Sequence, residues 1–513
     1  KSQVPDSIVQ MDWPKTSLIE WLRTKLESGD ILGFDPWLHT LEQIEELKIQ
    51  LNDIGVEIKP VDNLVDIIWK DKPDQPINST YIYPTKYAGK SRLKKILDVK
   101  NELQLRDENG FVFTNPESLC WLLNIRGKDI NRTPITHCTG IVHLDSRVDL
   151  FIDPAKTSNI KIILKDTINF FSPDKFEAFL KLLKGPIGID PEQLPYAAFL
   201  ALEKGDVKIV RSKDPTELPK AKKNKIELTN AKKAHLRDAI SICKFLFWFN
   251  CQPIENLTEI DIAISLEKFR RANPEFKDLS FDTISASGPN AALPHYRVTT
   301  NSNRTLNRGE VILIDSGAQY LDGTTDVTRT IGIDVTNSEI CESYTRVFKG
   351  LVAVSKLQFP KGTCGKEIDV LARKYLWENG QDFNHGTGHG VGHFLNVHEG
   401  PQRISKTSLI PLEEGMIISN EPGYYKEGGF GIRIENLLVV RASKFMKVPH
   451  NAKFLSFETL TFVPIDKNLL VKSMLSETEK DWLNTYHKEC RKKITAYLSK
   501  EEALWLRKVT EPI

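Results

Sequence analysis

The 513-residue sequence lacks an excess of either charge: 70 basic and 68 acidic residues leave a formal net charge of +2. That balance gives no reason to expect nucleic acid or an anionic membrane as the main partner. Cysteine is scarce, with seven residues, an odd number, spread along the chain and never in a C-x-x-C pair. A disulfide framework is thereby disfavoured, and a reducing, cytoplasmic compartment with thiols buried as small apolar groups is expected. Long hydrophobic runs are missing as well. The most apolar short stretch, Phe245–Phe249, is far too short to span a membrane, so no membrane partner is expected. No secretory leader is visible, although with Lys1 rather than methionine in first place that absence carries little weight. Short-period repeats, which would mark a solenoid, are also lacking.

What is present is ordinary globular material, 40% apolar and 27% charged, long enough for two or three cores. The pattern of short strands and amphipathic helices predicts an α/β (α+β) architecture. Residues 1–76 read as the end of an α/β unit. Helices are expected at Ser17–Leu26 and His39–Leu51 and strands at Ile31–Phe34 and Glu57–Val61, before a proline-bearing linker at Asp71–Pro76. A second α/β segment, 77–222, contains an amphipathic helix at Ser91–Leu105 and a hairpin turning at Asp145–Arg147. The basic stretch Lys220–Lys225 reads as a solvated connector, since no aromatic residue interleaves it for stacking on bases. From 223 to 449 a long helix, Glu227–Phe249, leads into glycine- and histidine-rich stretches between strands, and 450–513 forms a tail of Lys-, Glu- and Trp-rich helices.

Two hairpin patterns in the third segment carry carboxylates. An apolar strand from Val311 ends at Asp315, turns near Asp322 and Gly323, and resumes before Asp326. Such a hairpin sets Asp315 and Asp326 side by side, with Asp322 facing solvent. The second strand pair leads from Met416 to Glu421 and returns from Phe430 to Glu435. Burying paired carboxylates is costly unless a cation or a shared proton compensates. Two such hairpins suggest related half-domains facing one another with four carboxylates converging. Between them, His385, His389, His393 and His398 bring four of the eleven histidines within fourteen residues, flanked by glycines that let the backbone approach a ligand. One imidazole with four carboxylates forms a hard donor set without thiolate. It favours Mn²⁺, with Co²⁺, Zn²⁺ or Fe²⁺ as alternatives, and it is generous for one ion but well matched to two.

With these residues in view, the chain resembles the creatinase/methionine aminopeptidase ("pita-bread") superfamily of metallopeptidases, family M24. Within it the likeness is to the large, three-domain Xaa-Pro aminopeptidases (aminopeptidase P). The matching pieces are Ala286–Tyr296, the Asp315/Asp326 hairpin, His385–Pro401, Glu421–Tyr425 and Gly431–Glu435, with Gly33–His39 and Trp121–Arg126 in the accessory segments. The resemblance implies a truncated creatinase-like domain I at 1–76, a creatinase-like domain II at 77–222, a pita-bread catalytic domain at 223–449 and an extension at 450–513 associated with dimer formation. It implies that Asp315 binds one metal, His389 and Glu421 the other, and that Asp326 and Glu435 bridge the pair. A hydroxide shared by the ions would attack the scissile carbonyl, with Glu421 as proton shuttle. His295 and His398 would position substrate and steady the tetrahedral intermediate, and His385 would line the proline pocket. Arg433 and Tyr425 would contact the ligands, Arg433 being equally readable as a plain ion-pair residue. His393 reads as a packing residue.

The expected activity is release of the N-terminal residue from peptides with proline in second place, by a homodimer. One rival is a prolidase, sharing the fold and ligands but restricted to dipeptides. The other is a pita-bread module that binds proteins without catalysis, disfavoured because all five ligand positions hold competent residues. Trp482 and Trp505 read equally as interface anchors or as residues buried against the catalytic domain.

Overall fold

A computed structural model describes residues 4–11, 16–443 and 453–513. The expected boundary at 449/450 lies outside the described residues. The chain divides into two compact units, the first formed by residues up to Tyr81 with Arg92–Ile125 and Thr136–Pro215, the second by Ile82–Ser91, Arg126–Ile135 and Thr216–Ile513.

In the first unit, short apolar runs build a six-stranded mixed sheet. Its order is Ile209–Arg211, Ile187–Ile189, Gly110–Phe113, Thr139–His143, Val148–Phe151, Ile168–Phe171. Its fourth and fifth strands, Thr139–His143 and Val148–Phe151, are antiparallel and form the hairpin that turns at Asp145–Arg147. The Arg92–Leu105 helix follows the expected span, burying Ile96, Val99 and Leu103 on one face. Nearer the start, Ile31–Phe34 and Glu57–Pro60 pair in parallel, joined by the Leu41–Asn52 helix, whose N-terminus is closed by a reciprocal Thr40/Gln43 capping box.

The second unit has a pseudo-symmetric plan. Two long helices, Lys225–Asn250 and Glu259–Arg271, flank a sheet of Ile284–Ser287, Val311–Ser316 and Val327–Gly332. Two more, Ser338–Ser355 and Gly365–Trp377, flank a six-stranded sheet ordered Gln358–Pro360, Phe454–Thr459, Asn436–Ala442, Ile417–Asn420, Gly388–Gly390, Glu399–Ile404. This is the pita-bread arrangement. The helix faces that carry Ile242, Phe245, Phe249, Ile262 and Leu266 meet Ile312, Ile314 and Val327 of the first sheet in one core. Val347, Phe348 and Leu351 meet Ile432 and Ile434 in the other.

The C-terminal helices Glu477–Ile494 and Lys500–Val509 close both cores, through Leu483 and Tyr486 in one and Ile494 and Leu506 in the other. Trp482 stacks on Tyr486, with ring centroids 5.2 Å apart, and Trp505 meets Phe247 edge-on at 6.1 Å. Both tryptophans therefore pack within this unit and are half-buried there.

Two readings need correction. Lys220–Lys225 is not wholly a solvated connector. Lys220 and Lys223 are 5% and 4% exposed, and both pair with the buried carboxylate of Glu399. A run of lysines looks solvent-seeking in sequence because the acid that draws two of them inward lies far along the chain. Asp322 likewise does not face solvent: it is 7% exposed and accepts from the Arg237 guanidinium.

Candidate metal centre

The two carboxylate hairpins are built alike. Val311–Ser316 pairs with Val327–Gly332, and the same register continues through Gln319 opposite Thr324 and Tyr320 opposite Gly323. Between the two ladders the chain opens, and Asp326 falls opposite Gly317 while Asp315 stands opposite Thr328. The acids are thus offset by a residue pair rather than directly facing, a refinement of the expected side-by-side placement. Gly317 is required there, since a Cβ would lie 2.0 Å from the Thr325 carbonyl oxygen.

In the second hairpin, Asn420 pairs with Asn436 and Gly423 with Arg433 in one register, so Glu421 and Glu435 face each other across the gap. His389 comes from the short strand Gly388–Gly390 beside Ile417–Asn420. A Cβ at Gly388 would meet the Ser419 carbonyl at 2.0 Å, which accounts for one of the glycines around the histidines.

These elements bring the ligand atoms together. One atom each from Asp326, His389 and Glu435 lie within 4.8 Å of one another, a set that could hold a metal ion. His389 Nε2 is 3.6 Å from Asp326 Oδ2 and 3.5 Å from Glu421 Oε1. Its Nδ1 lies 2.9 Å from the Gly390 carbonyl, which can only accept. Nδ1 therefore carries a proton, and in the neutral ring Nε2 turns a lone pair toward two carboxylates. Lone pair and carboxylates repel one another unless a cation lies between them.

Asp315 Oδ2 accepts from Arg433 at 2.7 Å, while its Oδ1 is buried without a hydrogen-bond partner. Burial, then the charges of Asp315 and Glu421, pushes Asp326 well above the usual carboxylate range. Burial, then the Asp326 charge, does the same to Glu435. Glu421 is raised too, chiefly by desolvation. Four carboxylates converge with Arg433 as the guanidinium paired to them, so the polypeptide alone leaves the site over-supplied with negative charge. The orphaned Asp315 oxygen and the inward lone pair fit divalent cations.

Around the ligands, Thr328 Oγ1 donates to Glu435 Oε2 at 2.9 Å and Ser419 Oγ to Glu421 Oε1 at 3.2 Å. Arg433 also donates to the Tyr425 hydroxyl at 2.6 Å, which in turn reaches His385 Nε2 at 2.8 Å. With Nδ1 of His385 bound to the Gly386 carbonyl, a directed chain runs from Arg433 through Tyr425 to His385. Arg433 is therefore more than a plain ion-pair residue. Desolvation first, then the Arg433 charge, lowers His385 to about 3.

His398 keeps an exposed edge but lies against His389, ring centroids 4.4 Å apart; desolvation first, then the electrostatic influence of the adjacent His389 ring, lowers it to about 4. His295 is exposed, and desolvation followed by the Arg433 charge lowers its pKa as well. His393 is 3% exposed, in keeping with a packing role.

Sequence patterns passed over several residues that hold this site. Arg373, 1% exposed, binds Asp369 and donates to the carbonyls of Phe383 and His385 at 2.6 and 2.7 Å, fixing the turn that presents the histidines. Arg270 and Asp238 form a buried pair to which Thr325, next to Asp326, adds its hydroxyl. Nothing in the local spacing of these residues distinguishes them from surface charge.

Metallopeptidase family M24 matches residues 229–442, the creatinase/prolidase N-terminal domain 71–227, and the C-terminal region of peptidase M24 453–513. A probable Xaa-Pro aminopeptidase P of Coccidioides posadasii is 37% identical, over 96% of this chain and 84% of the relative. The chain belongs to the aminopeptidase P family of M24 metallopeptidases. The X-prolyl aminopeptidase of Caenorhabditis elegans, a cytosolic enzyme with a di-nuclear active site, superimposes with a TM-score of 0.92 at 32% identity, over 98% of this chain and 84% of that one. The prolidase of Pyrococcus furiosus reaches 0.54 at 25% identity, over 71% of this chain and 98% of its own. The family is one of metallo-aminopeptidases, and the aminopeptidase reading is favoured over prolidase. Among the described residues, no helix is long and apolar enough to cross a membrane.

Proposed function

We propose that this protein is a dinuclear Xaa-Pro aminopeptidase in which Asp315 serves one cation, His389 and Glu421 the other, and Asp326 and Glu435 both. One observation carries the reading. Four carboxylates and an imidazole lone pair meet with a single guanidinium, Arg433, to offset their charge. Two divalent ions bound there would supply Lewis acidity toward a peptide carbonyl and a nucleophile at neutral pH. The hard oxygen-rich set suits Mn²⁺, with Co²⁺, Zn²⁺ or Fe²⁺ as alternatives.

The protein's own groups do the rest. Glu421, its Oε1 held by Ser419, is placed to take and return a proton. His398, neutral at working pH, can donate a hydrogen bond to the oxygen that gains charge in the transition state. His295 serves the same end from the loop that follows the Gly288–Ala292 turn. His385, oriented by Tyr425 and Arg433, lines the place of the substrate proline, whose imide offers no N–H to grip. The acidic cluster receives the free α-amino group, which makes the enzyme an exopeptidase.

The pattern of domains at 1–76, 77–222, 223–449 and 450–513 belongs to the same reading, as do a homodimer and a cytoplasmic location like that described for the C. elegans enzyme. The test is to strip the protein, reload it with Mn²⁺ and supply Arg-Pro-Pro, Arg-Ala-Ala and the dipeptide Arg-Pro. Metal-dependent release of arginine from Arg-Pro-Pro alone, or from it and Arg-Pro, is expected. Cleavage of Arg-Pro only would point to a prolidase, and cleavage of none with any of the four metals to a binding module.

A further inference from the structure

The loop that carries His398 begins at Val391, and the backbone closes little of it. Gly392 N–H bonds the Asn396 carbonyl at 2.9 Å, and His398 N–H the Asn396 side chain at 3.2 Å. Phe394 sits at φ +49°, a left-handed conformation unfavourable for a bulky residue. Three consecutive residues, His393, Phe394 and Leu395, are 3%, 2% and 0% exposed, so their carbonyls cannot turn to solvent.

Each of the three carbonyls finds a side-chain donor from a remote segment of the same compact unit. Arg126 Nε donates to Phe394 O at 2.6 Å and Arg126 Nη2 to His393 O at 3.3 Å. Gln319 Nε2 donates to Leu395 O at 2.8 Å, its own oxygen being held by the Thr324 hydroxyl at 2.8 Å. Arg126 is 2% exposed, and its guanidinium lies 4.2 Å from the centre of the Tyr83 ring. That ring stacks on Phe394 at 5.7 Å and is anchored through its hydroxyl to the Leu321 carbonyl at 2.6 Å. A forked, planar donor with an aromatic plate against it fixes both the position and the rotation of the Phe394 peptide; a point charge would not.

We infer that Arg126 is a positioning residue for the aminopeptidase reaction, clamping the Val391–His398 loop so that His398 faces the ligand cluster. The inference rests on the function proposed above and deepens it. Arg126 holds loop carbonyls and stacks against Tyr83, and acts through His398. The Trp121–Arg126 motif thereby gains a task in the active site, although it lies far from every ligand in sequence.

Two measurements on the whole 513-residue, Mn²⁺-loaded chain test this. The first does not depend on activity: amide hydrogen exchange in Arg126→Lys, which keeps stem and charge but loses the fork. Exchange of the Phe394–His398 amides is expected to rise about tenfold while the two helix pairs stay protected. Unchanged exchange in the loop overturns the clamp. The second is kinetic. Arg126→Lys and Arg126→Met should lower kcat on Arg-Pro-Pro by about 10- to 100-fold, with KM and bound metal within about twofold of wild type. In a His398→Ala background the same substitutions should cost no more than about twofold further, because the residue they position is gone. Losses that multiply in the double variants, or a kcat unaffected in the single ones, refute the role. If wild type itself fails on Arg-Pro-Pro, the functional reading falls, and exchange still decides the clamp.

Discussion

Arg329 offers the sharpest quantitative test of how the centre is held. Its side chain is 4% exposed and follows Thr328, whose hydroxyl binds Glu435. The guanidinium makes six hydrogen bonds, to the carbonyls of Pro464, Thr328, Glu435 and Val463, the Asn436 amide oxygen and the Tyr486 hydroxyl. It thus ties one carboxylate hairpin to the other and both to the C-terminal region. In Arg329→Met the apolar stem is retained and the fork removed. Thr328 O keeps a second donor in Glu435 N–H, while the one proton of the Tyr486 hydroxyl can serve either Val463 O or Asn436 Oδ1 but not both. The Pro464 and Glu435 carbonyls and one of those two are left. An orphaned buried acceptor costs about 1–3 kcal/mol, so the substitution should cost about 3–9 kcal/mol.

The assay is denaturant unfolding of the metal-free protein. The transition to follow is the one that Mn²⁺ shifts upward in wild type, since a two-unit chain need not unfold in one step. Metal affinity should weaken about 10- to 100-fold, because the Glu435 backbone loses its restraint. A transition that moves by less than about 1 kcal/mol would refute the reasoning.

Glu435→Gln should abolish arginine release and lower the Mn²⁺ content measured by elemental analysis; activity near wild type would remove Glu435 from the ligand set. Asp326→Asn should melt higher than wild type when both are metal-free and lose the stabilisation by Mn²⁺, since it removes a buried like charge; a lower metal-free melting point contradicts this. The pH dependence follows from the raised pKa values of Asp326, Glu421 and Glu435. Their folded pKa values exceed the unfolded ones, so the metal-free fold keeps this stability below the ordinary carboxylate range and loses it as pH rises through the folded values. Thermal melts should therefore show the gap between metal-loaded and metal-free protein widening as pH rises; a gap that narrows refutes it. Glu399→Gln leaves Lys220 and Lys223 buried without their shared carboxylate and should destabilise the second unit by about 3–5 kcal/mol in denaturant titration; a change under about 1 kcal/mol would show the pairing to be incidental.

Much of this architecture was legible from periodicity. The Lys225–Asn250 and Arg92–Leu105 helices, the Asp145–Arg147 turn and both carboxylate hairpins follow from patterns within twenty to thirty residues. What local patterns miss depends on partners far apart in sequence. Lys220 and Lys223 look like surface residues until Glu399 is seen between them, and Asp322 looks like a turn tip until Arg237 covers it. The two-residue offset of Asp315 and Asp326 escaped because the turn sequence does not reveal that the ladder opens at Gly317. At the centre itself, residue types were readable because carboxylates at the ends of apolar strands are anomalous. The supports were not, because arginine is common on any surface.

Those arginines explain how a site so rich in negative charge can be preformed. A backbone that waited for cations to draw Asp315, Asp326, Glu421 and Glu435 together would have to order four side chains against mutual repulsion at each loading. Here the cost falls on folding, and most of the restraint is applied to main-chain carbonyls rather than to the ligands. Arg329 holds the carbonyls of Thr328 and Glu435, Arg373 those of Phe383 and His385, and Arg126 those of His393 and Phe394. A guanidinium suits this task because it stays charged when buried and offers donors in a fixed plane. Arg433 alone touches a ligand carboxylate, and it takes one oxygen of Asp315 while leaving the other without a partner. The scaffold is therefore cationic where it grips the backbone and anionic where the ions must enter, so that their binding relieves repulsion without having to build the site.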